Sequence, residues 1–203
     1  LDCKEWNTLE EIVISQATSS KPESLKDLPA SKVQNLTEIT ALNKDRLSTG
    51  LTELDRTLGG GLVDGSVVLI GGDPGIGKST LILQALATLN SNNTTLYVSG
   101  EESAEQVSER AIRLGIKEDI LFIGETHLEK IIKLSKDVKP KVIVIDSIQT
   151  MVTDLSTSAP GSVTQVRDCA AQLTQYAKQT NTILLMIGHV TKGGALAGPR
   201  ILE

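Results

Sequence analysis

The sequence predicts an α/β fold with a mainly parallel, twisted β-sheet flanked by helices. Three observations predict it. Short β-rich runs alternate with helical patterns from about residue 47 onward, as a parallel sheet requires. The apolar content is almost wholly aliphatic, with one Trp, one Phe and two Tyr, and Val, Ile and Leu are what strands buried on both faces need. The stretch GGDPGIGKST at 71–80 joins a strand-like run to a helix-like one, the arrangement expected of a P-loop NTPase.

The chain has 203 residues, enough for one sizeable domain with a real core. Its formal net charge is −5, so bulk charge does not make it a polyanion binder. Any nucleic-acid contact has to come from a local basic surface or an assembly. The scarcity of aromatic rings argues against base recognition by stacking. Cys3 and Cys169 are too few and too far apart for a disulfide framework, which favours a reducing compartment. No apolar run approaches membrane-spanning length and the first residues do not read as a signal peptide. The expectation is a cytoplasmic protein without a membrane partner.

Residues 1–15 hold a short aliphatic patch after an isolated Cys and Trp. Residues 16–46 are polar, contain two prolines and read as a linker that wraps over the domain. Strands are expected at VVLIG (67–71), TLYVS (95–99), ILFIG (120–124), VIVID (142–146) and ILLMIG (183–188). A helix is expected after Ser79, through LILQALATL. A second, over 103–115, opens with a capping box of Ser103 and Gln106 and closes at Gly115. A third, over 163–179, carries Val163, Val166, Ala170, Leu173 and Ala177 on one stripe. In such sheets ligands bind at the carboxyl ends of the strands, and the motifs fall there.

Gly72 to Ser79 fits G-x-x-x-x-G-K-[ST] without a mismatch. Gly75 and Gly77 allow the backbone to approach phosphate oxygens, and the loop amides then form an anion nest at a helix N-terminus. Lys78 supplies a charge for the β- and γ-phosphates, and the Ser79 hydroxyl is a ligand for Mg²⁺. The candidate nucleotide-binding residues are Gly72, Asp73, Pro74, Gly75, Ile76, Gly77, Lys78, Ser79 and Thr80. The expected ligand is ATP or ADP with Mg²⁺.

VIVID ends in Asp146, and an acid at the tip of a buried strand beside a P-loop suits Mg²⁺. The alternative is an Asp that caps the next helix. Ser147 and Gln149, just beyond, could sense the nucleotide. Glu101 and Glu102 follow the TLYVS run. Either could orient and deprotonate the attacking water, or merely charge the first turn of the following helix. Glu101, nearer the strand end, is the preferred base.

Taken in order, these segments form a pattern. RLSTGLTELDRTLGGGL (46–62), GGDPGIGKST, LYVSGEESAEQVSERAIRLG, VIVIDSIQT, SAPGSVTQVRDCAAQL and GHVTKGGALAGPRILE closely resemble the bacterial RadA (Sms) family. These are RecA-related DNA repair and recombination proteins. The resemblance runs from residue 46 to the end, and its distinguishing segments are PGSVTQVRDCAAQL and GHVTKGGALAGPR. The front half alone would also fit the KaiC group and the archaeal recombinases. DCKEWNT (2–8) looks like the tail of the family's four-cysteine zinc finger, with Cys3 as its final ligand. One thiolate cannot build a tetrahedral zinc site, so no zinc is expected in this chain. The family's Lys-Asn-Arg-Phe-Gly motif and Lon-like domain are not in the sequence. The chain is therefore expected to bind nucleotide but to hydrolyse it weakly or not at all.

The resemblance implies a RecA-like, DNA-dependent ATPase core of helicase type. The whole protein would move on single-stranded DNA in recombinational repair and branch migration. It implies a hexameric ring with nucleotide between subunits, and the RecA recombinase as a partner. The competing readings are a KaiC-like regulatory ATPase without DNA-motor activity and a nucleotide-binding scaffold without turnover. In RecA-like ATPases the loops after the acidic strand and after the next strand face DNA. Here these are residues 153–163, with Arg167 nearby, and the segment holding Lys192 and Arg200. Glycines 193, 194 and 198 are expected to leave that second segment mobile. Lys and Arg contact phosphates without regard to sequence, though on an isolated loop both would be ordinary solvated residues. His189 ends its strand beside the phosphate site, as a γ-phosphate sensor or as a hydrogen-bonded strand-end histidine.

Overall fold

The computed structural model describes Asn35 and residues 45–189. The chain divides into two units, Leu1–Leu42 and Asn43–Glu203. The expected N-terminal remnant, nearly all of the linker and the segment with Lys192 and Arg200 lie outside the described residues.

The second unit alternates strands with helices, as expected. α1 (Thr52–Thr57) precedes β1 (Val67–Gly72), α2 (Lys78–Asn90), β2 (Thr95–Ser99) and α3 (Ala104–Arg113). Then come β3 (Leu121–Gly124), α4 (Leu128–Val138), β4 (Val142–Asp146), a 3₁₀ turn (Ile148–Thr150), α5 (Val163–Thr180) and β5 (Ile183–His189). Among the described residues five strands form one parallel sheet in the order β1-β5-β4-β2-β3.

Burial explains which runs became central strands. Every residue of β2 and β4 is buried, whereas the edge strands β1 and β3 are only partly so. Alternate side chains project to opposite faces. Leu96, Val98, Ile143, Ile145, Leu184 and Met186 pack on one face against α4 and α5. Tyr97, Val142, Val144, Ile183, Leu185 and Ile187 pack on the other against α2 and α3. Each buried aliphatic side chain contributes about 1.5–3 kcal/mol.

The helices follow their local signals. The expected capping box of Ser103 and Gln106 is present at α3, and Gly115 follows at φ 71°, as a helix end requires. Ser162 caps α5 by accepting from the Gln165 amide at 3.3 Å. Of its expected stripe, Val166, Ala170, Leu173 and Ala177 are buried, and Val163 in the first turn is partly exposed. α1 and α4 are additional to the three expected helices. α4 buries only Leu128, Ile131 and Ser135 behind a lysine-rich outer face, a narrow apolar stripe that shows weakly in the sequence.

Candidate functional site

The strand order lines up the motifs at one end of the sheet. β5 lies between the strand that feeds the phosphate loop and the strand that ends in Asp146. Gly72 pairs with His189, Ile187 with Asp146, and Asp146 with Ser99. Four strand ends therefore bring Gly72, His189, Asp146 and the SGEE segment side by side.

The loop between β1 and α2 takes its shape from two glycines. Gly75 has φ 81° and Gly77 has φ 97°, a region that strains residues with a Cβ. A Cβ at either would meet nothing within 4 Å. The backbone angle, and not crowding, requires glycine there, and the space above the loop stays open to a ligand. α2 starts directly after Gly77 with no acidic residue in its first turn and no side-chain cap on its first amides. Those amides and the helix dipole suit an anion. Asp73, Pro74 and Ile76 are exposed on the loop, and Ser79 and Thr80 are half-buried in the first turn of α2.

Lys78 is buried, and its ammonium reaches back across the loop. Nζ donates to the carbonyls of Gly72 at 2.7 Å and Asp73 at 2.8 Å. It also lies 3.3 Å from His189 Nδ1. An ammonium only donates, so Nδ1 is the acceptor and the ring proton sits on Nε2. Nε2 in turn lies 3.2 Å and 3.4 Å from the two Glu101 carboxylate oxygens. Ser147, fully buried, donates its hydroxyl to the same carboxylate. Gln149 donates to the His189 carbonyl at 3.3 Å.

The two neighbouring acids differ in surroundings. Glu101 faces the site. Glu102 is turned onto α3 in an ion pair with Arg110. The Ser99 hydroxyl accepts from both of their amides, at 3.3 Å and 2.9 Å, and fixes the turn. Gly100 is dictated by space, because a Cβ would run into the Thr150 side chain and lie 2.9 Å from Thr126 Cγ2. Asp146 is 4 % exposed and accepts from the Tyr97 hydroxyl. The Asp146–Ser147 peptide bond is cis.

Arg167 is exposed one turn into α5. It lines a groove of about 780 Å³ with Val67, Leu69, Lys178 and Met186, apart from the hydrogen-bonded cluster. The loop after the acidic strand starts from a buried anchor. Thr153 donates to Glu129 at 2.5 Å and receives bonds from Gln172 and Gln165. Leu155, just beyond, is 79 % exposed.

Tyr97, Gly100, Arg110 and Thr153 are the contributors that sequence reasoning missed. Tyr97, Gly100 and Thr153 act through residues distant in the chain, while Arg110 reaches Glu102 eight positions away; Gly100, next to the acidic pair, carried a local signal.

Among the described residues no group of three or more His, Cys, Asp or Glu could hold a metal by itself. Mg²⁺ keeps waters and substrate phosphates and takes few protein ligands. Ser79 and Asp146, hard oxygen donors beside an open phosphate loop, fit that share. Zinc has no comparable support, since Cys3 lies outside the described residues.

A model of the AAA domain family matches residues 33–195. The chain belongs to this family. It is also similar along its whole length to proteins named DNA repair protein RadA. The protein from Pseudomonas aeruginosa is 54% identical over 203 residues, 100% of this chain. Those from Haemophilus influenzae and Escherichia coli are 49% and 48% identical over 99% of it. The chain spans 45% of the length of each of these relatives. The motif resemblance to the RadA family and the expected α/β P-loop NTPase fold are both borne out. Among the described residues no helix is long and apolar enough to cross a membrane.

Proposed function

We propose that this chain is the ATP-binding and hydrolysing core of a DNA-dependent ATPase. The whole protein would act on single-stranded DNA in recombinational repair and branch migration, in the cytoplasm. One observation carries the reading: the P-loop lysine, a strand-end histidine and a solvent-facing glutamate form one hydrogen-bonded series, Lys78–His189–Glu101. The names of the relatives support the DNA-repair setting. A hexameric ring and partnership with the RecA recombinase are carried over from the family resemblance.

The residues divide the work. The loop amides and the N-terminus of α2 bind the phosphates. Lys78 exchanges its bonds to the Gly72 and Asp73 carbonyls for phosphate oxygens. Mg²⁺, held by Ser79 and Asp146, would neutralise charge on those oxygens. Glu101 accepts a proton from the attacking water, and Ser147 and His189 hold its carboxylate in place. Glu102, committed to Arg110, is not the base. His189 touches both Lys78 and Glu101, so it is suited to report the γ-phosphate. Arg167, Lys192 and Arg200 are the candidate phosphate contacts for DNA.

The test is nucleotide binding and ATPase rate with and without single-stranded DNA. It is run on this chain and on a protein of the full length of its relatives. Binding by the chain and DNA-stimulated hydrolysis by the longer protein are expected. Hydrolysis indifferent to DNA would favour the KaiC-like regulatory ATPase. Normal ATP binding by Lys78→Ala would overturn the phosphate-loop assignment.

A further inference from the structure

A buried hydroxyl lies behind the acid of the site. Tyr97 is at the middle of β2, 0% exposed, within the apolar cluster shared by α2, β4 and β5. Its ring stacks on Phe122, with centroids 6.4 Å apart and planes at 17°. A phenylalanine would meet every one of those packing demands. The hydroxyl is the part that packing does not explain, and it donates to Asp146 Oδ2. Among the described residues this is the single hydrogen bond to the Asp146 carboxylate. A carboxylate only accepts, so the hydroxyl is the donor of the pair.

A carboxylate with one oxygen bonded from behind has lost its rotational freedom. Its other oxygen becomes the acceptor for a ligand at the strand end. Loss of a partner that holds a metal-binding carboxylate in this way typically lowers metal affinity about 10- to 100-fold. Sheet geometry sets the arrangement. Tyr97 pairs with Val144 and Ser99 with Asp146, so Tyr97 and Asp146 share a face of adjacent strands, two residues out of step. That diagonal suits a long phenol reaching a short carboxylate.

The geometry points to Tyr97 as a positioning residue that fixes the Asp146 carboxylate for the Mg²⁺–nucleotide complex. This rests on the reading of Asp146 as the metal-side acid. The experiment titrates Mg²⁺ into this chain with a fluorescent non-hydrolysable ATP analogue and reads the Mg²⁺ midpoint. A parallel measurement in EDTA reads metal-free affinity. Tyr97→Phe should raise the midpoint about tenfold and leave metal-free affinity unchanged. Asp146→Asn should raise it at least as much, and the double variant should add little to that. Phe122→Leu, which loosens the ring stack but keeps the hydroxyl, should keep the wild-type midpoint even if it lowers the melting temperature. An unshifted midpoint in Tyr97→Phe, with Asp146→Asn shifted, overturns the role of Tyr97 alone. An unshifted Asp146→Asn overturns the metal-side reading and the inference with it. Equal shifts in Phe122→Leu and Tyr97→Phe would reduce the hydroxyl to a packing element.

Discussion

His189 Nε2 lies 3.2 Å from Glu101 Oε1, while Nδ1 of the same ring lies 3.3 Å from Lys78 Nζ. One imidazole thus spans the candidate base and the phosphate-loop lysine. Replacing it by alanine should lower kcat about tenfold to a hundredfold, because Glu101 loses one of its two holders. Nucleotide affinity should change little, since the loop amides and Lys78 remain. Single-turnover hydrolysis beside equilibrium nucleotide binding checks this. A fall in affinity with kcat intact would remove His189 from the catalytic series.

The split between Glu101 and Glu102 makes a paired prediction. In a protein of the full length of the relatives, Glu101→Gln should reduce hydrolysis about 10²- to 10⁴-fold, the range for a lost general base, and retain nucleotide binding. Glu102→Gln should instead lower stability, by about 1–2 kcal/mol, because its partner Arg110 is mostly buried while Glu102 is partly screened by solvent. Denaturant unfolding with ATPase rates on both variants distinguishes them. Equal loss of hydrolysis in the two would mean that the ion pair with Arg110 does not set Glu102 aside.

Gly100→Ala should destabilise the fold by about 1–3 kcal/mol through overpacking. The added methyl would run into Thr150 and press on Thr126. The same exchange at Gly77 meets open space but a φ of 97°, so its cost lies in the backbone and falls on nucleotide binding. Thermal melts and nucleotide titrations on both variants should separate: Gly100→Ala losing mainly stability, Gly77→Ala mainly affinity.

Cys169 should resist thiol reagents in the folded protein. It is 0% exposed, and burial, followed by the charge of Glu129, pushes its pKa up to about 12. The reactive thiolate is therefore scarce at neutral pH. In a Cys3→Ser background, labelling by a maleimide should be slow and should accelerate through the denaturant midpoint. Rapid labelling of the native chain would contradict the packing of α5 against the sheet.

Much of this was legible in the sequence, and what was not shares one cause. The phosphate loop is contiguous, so its residue types and spacing announce themselves. The strands were readable as β-rich runs, and Ser103 and Gln106 as a cap. The contacts that organise the site are not local. Tyr97 and Asp146 are 49 positions apart, Ser147 and Glu101 are 46, and Lys78 and His189 are 111. Each depends on the order β1-β5-β4-β2-β3, which no strand declares by itself. Glu102 illustrates the limit. Its neighbour Glu101 is chemically identical; nearness to the strand end favoured Glu101, and the structure separates the two through Arg110 on Glu102 and through Ser147 and His189 on Glu101.

The insertion of β5 between the two ligand-bearing strands has a mechanical side. Adjacent strands are about 4.8 Å apart, so β5 acts as a spacer whose tip is wedged between the lysine and the glutamate. Residue 190 is joined to that tip by a single peptide bond. A shift that lengthened either imidazole contact by about 1 Å would take it past hydrogen-bonding range. The position of the β5 tip thus sets two contacts at once, with one ring as the tooth.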